Sequence, residues 1–478
     1  MSSLRPAHVT LHAVLGLVIS LGLLSGTVQA AGELPQRDHA IRAKTIYPIS
    51  ADPISPGVVI VQGGRIAAMG GEEVVIPEGM ETVETEALLP AFVEVMSQRG
   101  LDRAFETRPD SSFIRASDAL NPASLEMDDA RRVGLATLLV TPPPGAALSG
   151  RGVILHPQGL EIDSMILRDD AYMSLSLQPR GGVSRMGHLA RLRKILSDGR
   201  RELEEREKRD GRRRHHRSDE IPPEKQALYS LLEGEIPALV DCNTAADVAT
   251  AFALAREYGF EVTPVIEPEC WRAIELLAVN RVTAIIGPRL TTWEILPDGT
   301  RHHVDLPSLL HEAGVPFCMS TDPRELAAQH PWYLAARCVR SGVPEDVALA
   351  AVTRNPAELL GFEGSKGVIQ VGADADLVLL SDQPFSGRAF VDSLLIKGTR
   401  VYHRDADTKL NRLFGRAHEP PMLVIESDHP EDPRTEDWEQ LEHDLQALGP
   451  SPGEADIRWP APISPPKEPH THDHGEDK

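Results

Sequence analysis

The chain has 478 residues, 41% of them hydrophobic, which is enough for one large domain and a smaller one. Its formal net charge is -22, from 71 acidic and 49 basic residues, and this excludes bulk binding to nucleic acid, whose affinity comes mostly from neutralising phosphates. The balance reads as an acidic, soluble protein.

Arg5 precedes an apolar run from Ala13 to Leu24, and small residues then lead to Val28-Gln29-Ala30. This is the pattern of a secretory signal peptide over residues 1–30, cleaved near Ala30, so the mature chain is expected in the periplasm or outside the cell. A bilayer span takes about 20 apolar residues. Neither this run nor any later stretch reaches that length, so no membrane span is expected. Export permits disulfides, and Cys242 and Cys270 would approach each other if they end neighbouring strands. Four cysteines do not make a disulfide scaffold, and buried thiols suit them equally, so the state of Cys242, Cys270, Cys318 and Cys338 stays open here.

From Ala40 to Ala87 short apolar runs alternate with glycines, and Gly63-Gly64 between two of them signals a hairpin. Similar strands return between Gly367 and Tyr402. Residues 31–88 and 366–403 are therefore expected to form one small composite β-sandwich from both chain ends. Between them, residues 89–365 alternate strand-like and helical runs, the pattern of a parallel α/β fold. The predicted strands are Ala136 to Thr141, Ile236 to Asp241, Glu261 to Ile266, Thr283 to Gly287 and Val315 to Thr321. Predicted helices include Ala245 to Tyr258 and Pro344 to Leu360. The length of this region fits an eight-stranded barrel better than an open sheet.

Leu88 to Leu101 reads L-L-P-A-F-V-E-V-M-S-Q-R-G-L, in which Pro90, Phe92, Val93, Glu94 and Gly100 follow the frame P-G-[FL]-[IV]-D-x-H-x-H-x-G. That frame is the first barrel strand of the amidohydrolase superfamily, which the chain resembles over nearly its whole mature length. G-L-A-T-L-L-V-T-P-P-P-G-A-A-L-S-G-R-G and A-G-V-P-F-C-M-S-T-D-P resemble two further segments. Asn355-Pro356-Ala357, followed by Ala373-Asp374-Ala375-Asp376-Leu377, is the most specific match. The resemblance is to the imidazolonepropionase-like branch. It implies a (β/α)8 TIM-like barrel with a small β-sandwich, and a metal-dependent hydrolase of non-peptide carbon–nitrogen bonds.

The two histidines of the frame are here Met96 and Gln98. Residues two apart in a strand share a face, so these side chains take the place of two imidazoles but offer little to zinc. The family's histidines after two middle strands correspond to Cys242 and Glu267. S-L-S-L-Q-P lacks the lysine that bridges two metals in some members. Only Asp322 is retained, the residue that in the family binds metal and takes a proton from water. Two arrangements stay open. Cys242, Glu267 and Asp322 could hold one divalent ion such as zinc. Alternatively, Cys242 is a buried filler, Glu267 pairs with a base and Asp322 caps a helix near Pro323.

Met186 to Leu203 spaces apolar residues along one helical face and leads into an almost wholly charged stretch, with a basic patch from Arg212 to Arg217. Residues 404–478 form an acidic, proline-rich tail expected to be disordered beyond Pro450, with His470, His472 and His474 as a weak metal collector. Two functions follow from this reading: a hydrolase with a remodelled one-metal or metal-free site around Asp322, or a barrel without turnover that binds a small-molecule ligand or a partner at its mouth.

Overall fold

The computed structural model of the chain describes residues 38–102, 106, 108–179, 182–212, 221–322 and 329–414. His39–Ile46 (β1) pairs antiparallel with Gly57–Gln62 (β2). Gly63 and Gly64 take φ of 57° and 76°, the left-handed turn that glycine permits, and fold β2 back onto Arg65–Gly70 (β3). Glu81–Pro90 (β4) then runs parallel to β1.

Past Ala91 the chain enters a second sheet. Its strands are Phe92–Ser97 (β5), Leu135–Val140 (β6), Leu148–Leu155 (β7), Ile166–Ser176 (β8), Ala238–Cys242 (β9), Val262–Ile266 (β10) and Ala284–Ile286 (β11). A separate hairpin, Thr291–Ile295 (β12) and Arg301–Asp305 (β13), interrupts the series before Phe317–Met319 (β14) completes it. The order is β14-β11-β10-β9-β8-β7-β6-β5, eight strands that bend round until β14 and β5 are neighbours. Seven run parallel; β7 is antiparallel to both β6 and β8, a departure from the strict alternation of strand and helix expected of a (β/α)8 barrel.

Leu377–Leu380 (β15), Val391–Ile396 (β16) and Thr399–His403 (β17) return to the first sheet. β15 pairs antiparallel with β4, giving one seven-stranded sheet in the order β17-β16-β15-β4-β1-β2-β3. The strands from both chain ends thus lie in a single sheet. Lys366 fastens it to the start of β5. Its buried ammonium lies 2.6 Å from Asp376 and 3.1 Å from Asp374, while the Asp376 carbonyl accepts from Ala91 N–H at 2.9 Å. The A-D-A-D signature is here an ion-paired joint.

Two apolar clusters separate the inside of the barrel from its jacket. Val93, Val95, Leu139, Leu239, Val265, Ile285 and Cys318 pack inward. Their strand neighbours Val240, Ile266, Ile286 and Met319 pack outward with the helices, as a period of two requires. The helix Arg354–Leu359 plugs the end where the parallel strands begin: Ala357 and Leu360 join the inner cluster, and Tyr172 Oη donates to Leu359 O at 2.7 Å.

The helix Ala245–Tyr258 has the predicted limits, and Thr244 and Asp247 close its first turn as a capping box. The expected helix from Pro344 to Leu360 is instead two, Glu345–Ala350 and Arg354–Leu359. Thr353 departs from helical angles (φ -131°, ψ -84°), and Pro356 has no N–H to continue the ladder. The helix expected over Met186 to Leu203 runs further, Arg185–Arg212.

Candidate functional site

Parallel strands put their carboxyl ends on one side of a barrel, so Met96, Gln98, Cys242, Glu267 and Asp322, at or just past the ends of β5, β9, β10 and β14, share one rim. Register sets their depth. Ser176, Asp241, Val265, Ile285 and Cys318 form one inward layer through successive pairings. Glu267 and Ser320 stand two residues higher on β10 and β14, and Asp322 higher still.

Side-chain direction separates the five. Met96 is half-buried against the inner cluster, and Gln98 is half-buried beyond it. A bulge between Glu94 and Ser97 breaks the pairing of β5 with β6 just before the rim. Cys242 faces the helical jacket instead of the interior, with its thiol donating to Val240 O at 3.4 Å. Burial pushes this thiol well above its ordinary range, and Cys270, whose Sγ lies 3.1 Å from Cys242 O, is pushed up to about 12. All four cysteines are free and buried.

Glu267 does face inward, but Arg289 takes it. The guanidinium donates from Nε to Glu267 Oε2 at 3.1 Å and grips Glu269 with two bonds of 2.7 Å each. Burial raises the Glu267 carboxyl, with Arg289 opposing it. Asp322 is half-buried just past β14. Among the described residues, no three His, Cys, Asp or Glu side chains are grouped so as to hold a metal ion. The basic stretch from 213 to 217, the tail beyond 414 with His470, His472 and His474, and residues 1–30, where a signal peptide is expected, lie outside the described residues.

Three residues at this rim were not singled out from the sequence. Asp241, half-buried, shares the inward face with Leu239 one position before Cys242. A strand buried on both faces gives no polar alternation, so L-V-D-C-N alone does not say whether Asp241 or Cys242 points in. Arg289 follows Gly287-Pro288 and carries no motif. Arg99 is 0% exposed between β5 and β14; its Nε lies 3.4 Å from Glu94 Oε2 and its Nη2 3.3 Å from Thr321 Oγ1. Thr321 also donates its backbone N–H and hydroxyl to Glu94 Oε1, at 3.2 and 2.6 Å. Burial raises the Glu94 carboxyl, against the pull of Arg99 and Thr321.

Residues 233–402 match a family model described as "Amidohydrolase family". Among curated proteins, the chain is 27% identical over 222 residues to "Amidohydrolase tasK" of Hapsidospora irregularis, covering 44% of this chain and 22% of that one. It is 29% identical over 133 residues to the imidazolonepropionase of Rubrobacter xylanophilus, covering 27% of this chain and 31% of that one. The matches thus span less than a third of either relative. A solved amidohydrolase structure from Thermotoga maritima MSB8 superposes with a TM-score of 0.69 at 24% identity, covering 76% of this chain and all of that one, and shows the same fold. The family match and the curated relatives support the amidohydrolase superfamily over the matched residues, and the superposition shows the fold alone.

Proposed function

We propose that the chain is an exported member of the imidazolonepropionase-like branch whose barrel mouth binds a small molecule and whose hydrolysis of carbon–nitrogen bonds is weak or lost. The observation that carries this reading is the pairing of Glu267 with Arg289, since a guanidinium neutralises the carboxylate at a position where the resemblance expects a ligand to the metal. The neighbouring donors point the same way. A zinc centre takes about four strong donors, commonly imidazole or thiolate. Met96 offers a thioether, Gln98 a neutral amide, and Cys242 a protonated thiol turned toward the helices. These residues do not fit the zinc centre that the resemblance implies.

What remains is a general base. Asp322 can hold a proton taken from water, but a base acting alone contributes about 100- to 10,000-fold, too little for efficient cleavage of an unactivated amide. A second reading, a hydrolase built on carboxylates, draws support from the inward placement of Asp241 and Glu267 on adjacent strands.

Metal content decides between the two readings. Protein without residues beyond Pro450, and so without His470, His472 and His474, is expected to hold well under one equivalent of zinc, manganese or iron after dialysis. It should also show no turnover of simple lactams and amides beyond the base-catalysed level. Stoichiometric metal that disappears with Asp322→Asn would overturn the binding-protein reading in favour of the hydrolase.

A further inference from the structure

The reversed strand β7 has no crossover helix of its own: only the short helix Ile162–Met165 joins it to β8. The helix Pro223–Leu232, from later in the chain, stands over this region. Residues 223, 226, 227 and 230 share one face of it, and between that face and the strands lies a cavity of about 460 Å³. Small-molecule sites occupy about 300–1,000 Å³. The cavity lies at the end where the parallel strands begin, since Asp170 and Ile236, which line it, precede Met173 and Ala238, the first pair of the β8–β9 ladder. The rim with Glu267 and Asp322 is at the opposite end.

The strand side of the cavity is charged. Gly152 pairs with Tyr172 and Ile154 with Arg168, so β8 spends more residues than β7 over this step and bulges. Within the bulge Asp170 takes a φ of 51°, a left-handed conformation that costs a residue other than glycine about 1–3 kcal/mol. The bulge brings Asp169 and Asp170 to two arginines. Arg151 Nη1 donates to Asp170 Oδ2 at 2.6 Å, while Arg115 pairs with Asp169 and holds its Nε 3.3 Å from Asp170 Oδ1. Much hydrogen-bonding capacity is left over. Nε of both arginines and Oδ1 of Asp170 are buried without a hydrogen bond among the described residues, and Arg115 Nη1 has no partner there either. On the helix side, Glu224 makes no ion pair with a described residue.

The wall therefore offers unspent donors and unspent acceptors together, and its two guanidiniums and two carboxylates cancel in charge. A simple anion would meet Asp170 and Glu224, and a simple cation would meet Arg115 and Arg151. A ligand with both charges satisfies both sets, and Phe113, Ala227 and Ile236 give an apolar surface for a short aliphatic group. We infer that this cavity binds a small zwitterion of the α-amino acid class with an aliphatic side chain, its carboxylate on Arg115 and its ammonium on Asp170 and Glu224. The site shares no residue with the barrel mouth, so it stands or falls independently of the metal reading.

The test uses the full chain, with calorimetry and melting temperature as readouts. The probes are leucine and valine, each beside its deaminated and its decarboxylated analogue, which keep the side chain but carry one charge. Saturable binding of an amino acid at millimolar concentration is expected, with both of its analogues roughly ten-fold or more weaker. Affinity should fall by a similar factor in Arg115→Gln and in Glu224→Gln. Absence of saturable binding by both amino acids would overturn the inference, and so would an analogue that binds as tightly as its parent. Glu224 is exposed, so Glu224→Gln should leave the melting temperature of the free protein unchanged and is decisive should Arg115→Gln fail to fold. Binding undiminished in Glu224→Gln would place the ligand elsewhere and refute the site.

Discussion

At the scale of single residues, a buried ion pair lies in the joint between the sheets. Lys366 is 4% exposed, so removing its charge in Lys366→Met strands Asp376, itself buried, beside an apolar neighbour. The expected loss is about 3–5 kcal/mol, read from chemical denaturation. His156 sits close to the same pair. It bonds through Nδ1 to Ala136 O at 2.6 Å, and burial pushes its pKa down to about 4. The unfolded chain takes up a proton near pH 6.5 that the folded chain refuses until about 4. The stability tied to neutral His156 is therefore complete above the unfolded value and drains away as pH falls through that window, by at most about 1.4 kcal/mol per pH unit. His156→Gln keeps a donor for Ala136 O and should flatten the profile between those limits. Asp376 has the carboxylate sign: burial pushes it up, Lys366 outweighs burial, and its net depressed pKa makes its contribution disappear only at still lower pH. A variant profile as steep as that of the wild type would assign the slope to groups other than His156.

At the scale of elements, two hydroxyls hold the seam between β14 and β5, Ser320 Oγ donating to Met96 O and Thr321 Oγ1 to Glu94. Thr321→Val preserves shape but leaves the buried Glu94 a donor short, and the denaturation midpoint should fall by the equivalent of about 1–3 kcal/mol without a change in slope. Thr244→Ala, which opens the capping box of Ala245–Tyr258, should cost about 1 kcal/mol by the same measurement. That helix was legible from its alanine-rich run, and the β2–β3 hairpin from Gly63-Gly64 between two apolar runs. The reversed strand β7 was not legible: its residues are nearly all buried, so polar alternation is lost, and Pro142-Pro143-Pro144-Gly145 marks a turn without fixing the direction of the strand after it. The seam was invisible for a different reason. Arg99 follows a strand end, where a charged residue ordinarily meets solvent, and only the tertiary approach of Thr321 turns it into a core residue. Met96, Gln98, Cys242, Glu267 and Asp322 stand at or just past strand ends, which frame and strand limits alone convey. Whether Asp241 or Cys242 faces inward depends on which face of β9 the helices cover, which is a property of packing.

At the scale of the whole molecule, β15 shows why the chain ends cannot be separated from the barrel. Leu377 and Leu379 pack into the outer cluster with Ile41, Val59 and Leu88, while Val378 and Leu380 pack into the main core shared with the barrel's jacket. A strand buried on both faces is central, and each such side chain contributes about 1.5–3 kcal/mol through burial alone. β16 extends the same logic, for Leu394 and Ile396 join the main core. A fragment limited to residues 89–365 would therefore expose apolar surface over the jacket, lose the Asp376 carbonyl that accepts from Ala91, and keep almost none of the sheet that covers them. It is expected to aggregate, or to remain soluble without a cooperative thermal transition. Co-expression with the two missing segments as separate chains should restore some soluble complex, because the β4–β15 ladder and the bond from Ala91 to Asp376 form across the cuts. A soluble 89–365 fragment that melts cooperatively near the wild-type temperature would show that the barrel is self-sufficient and that the seven-stranded sheet only decorates it.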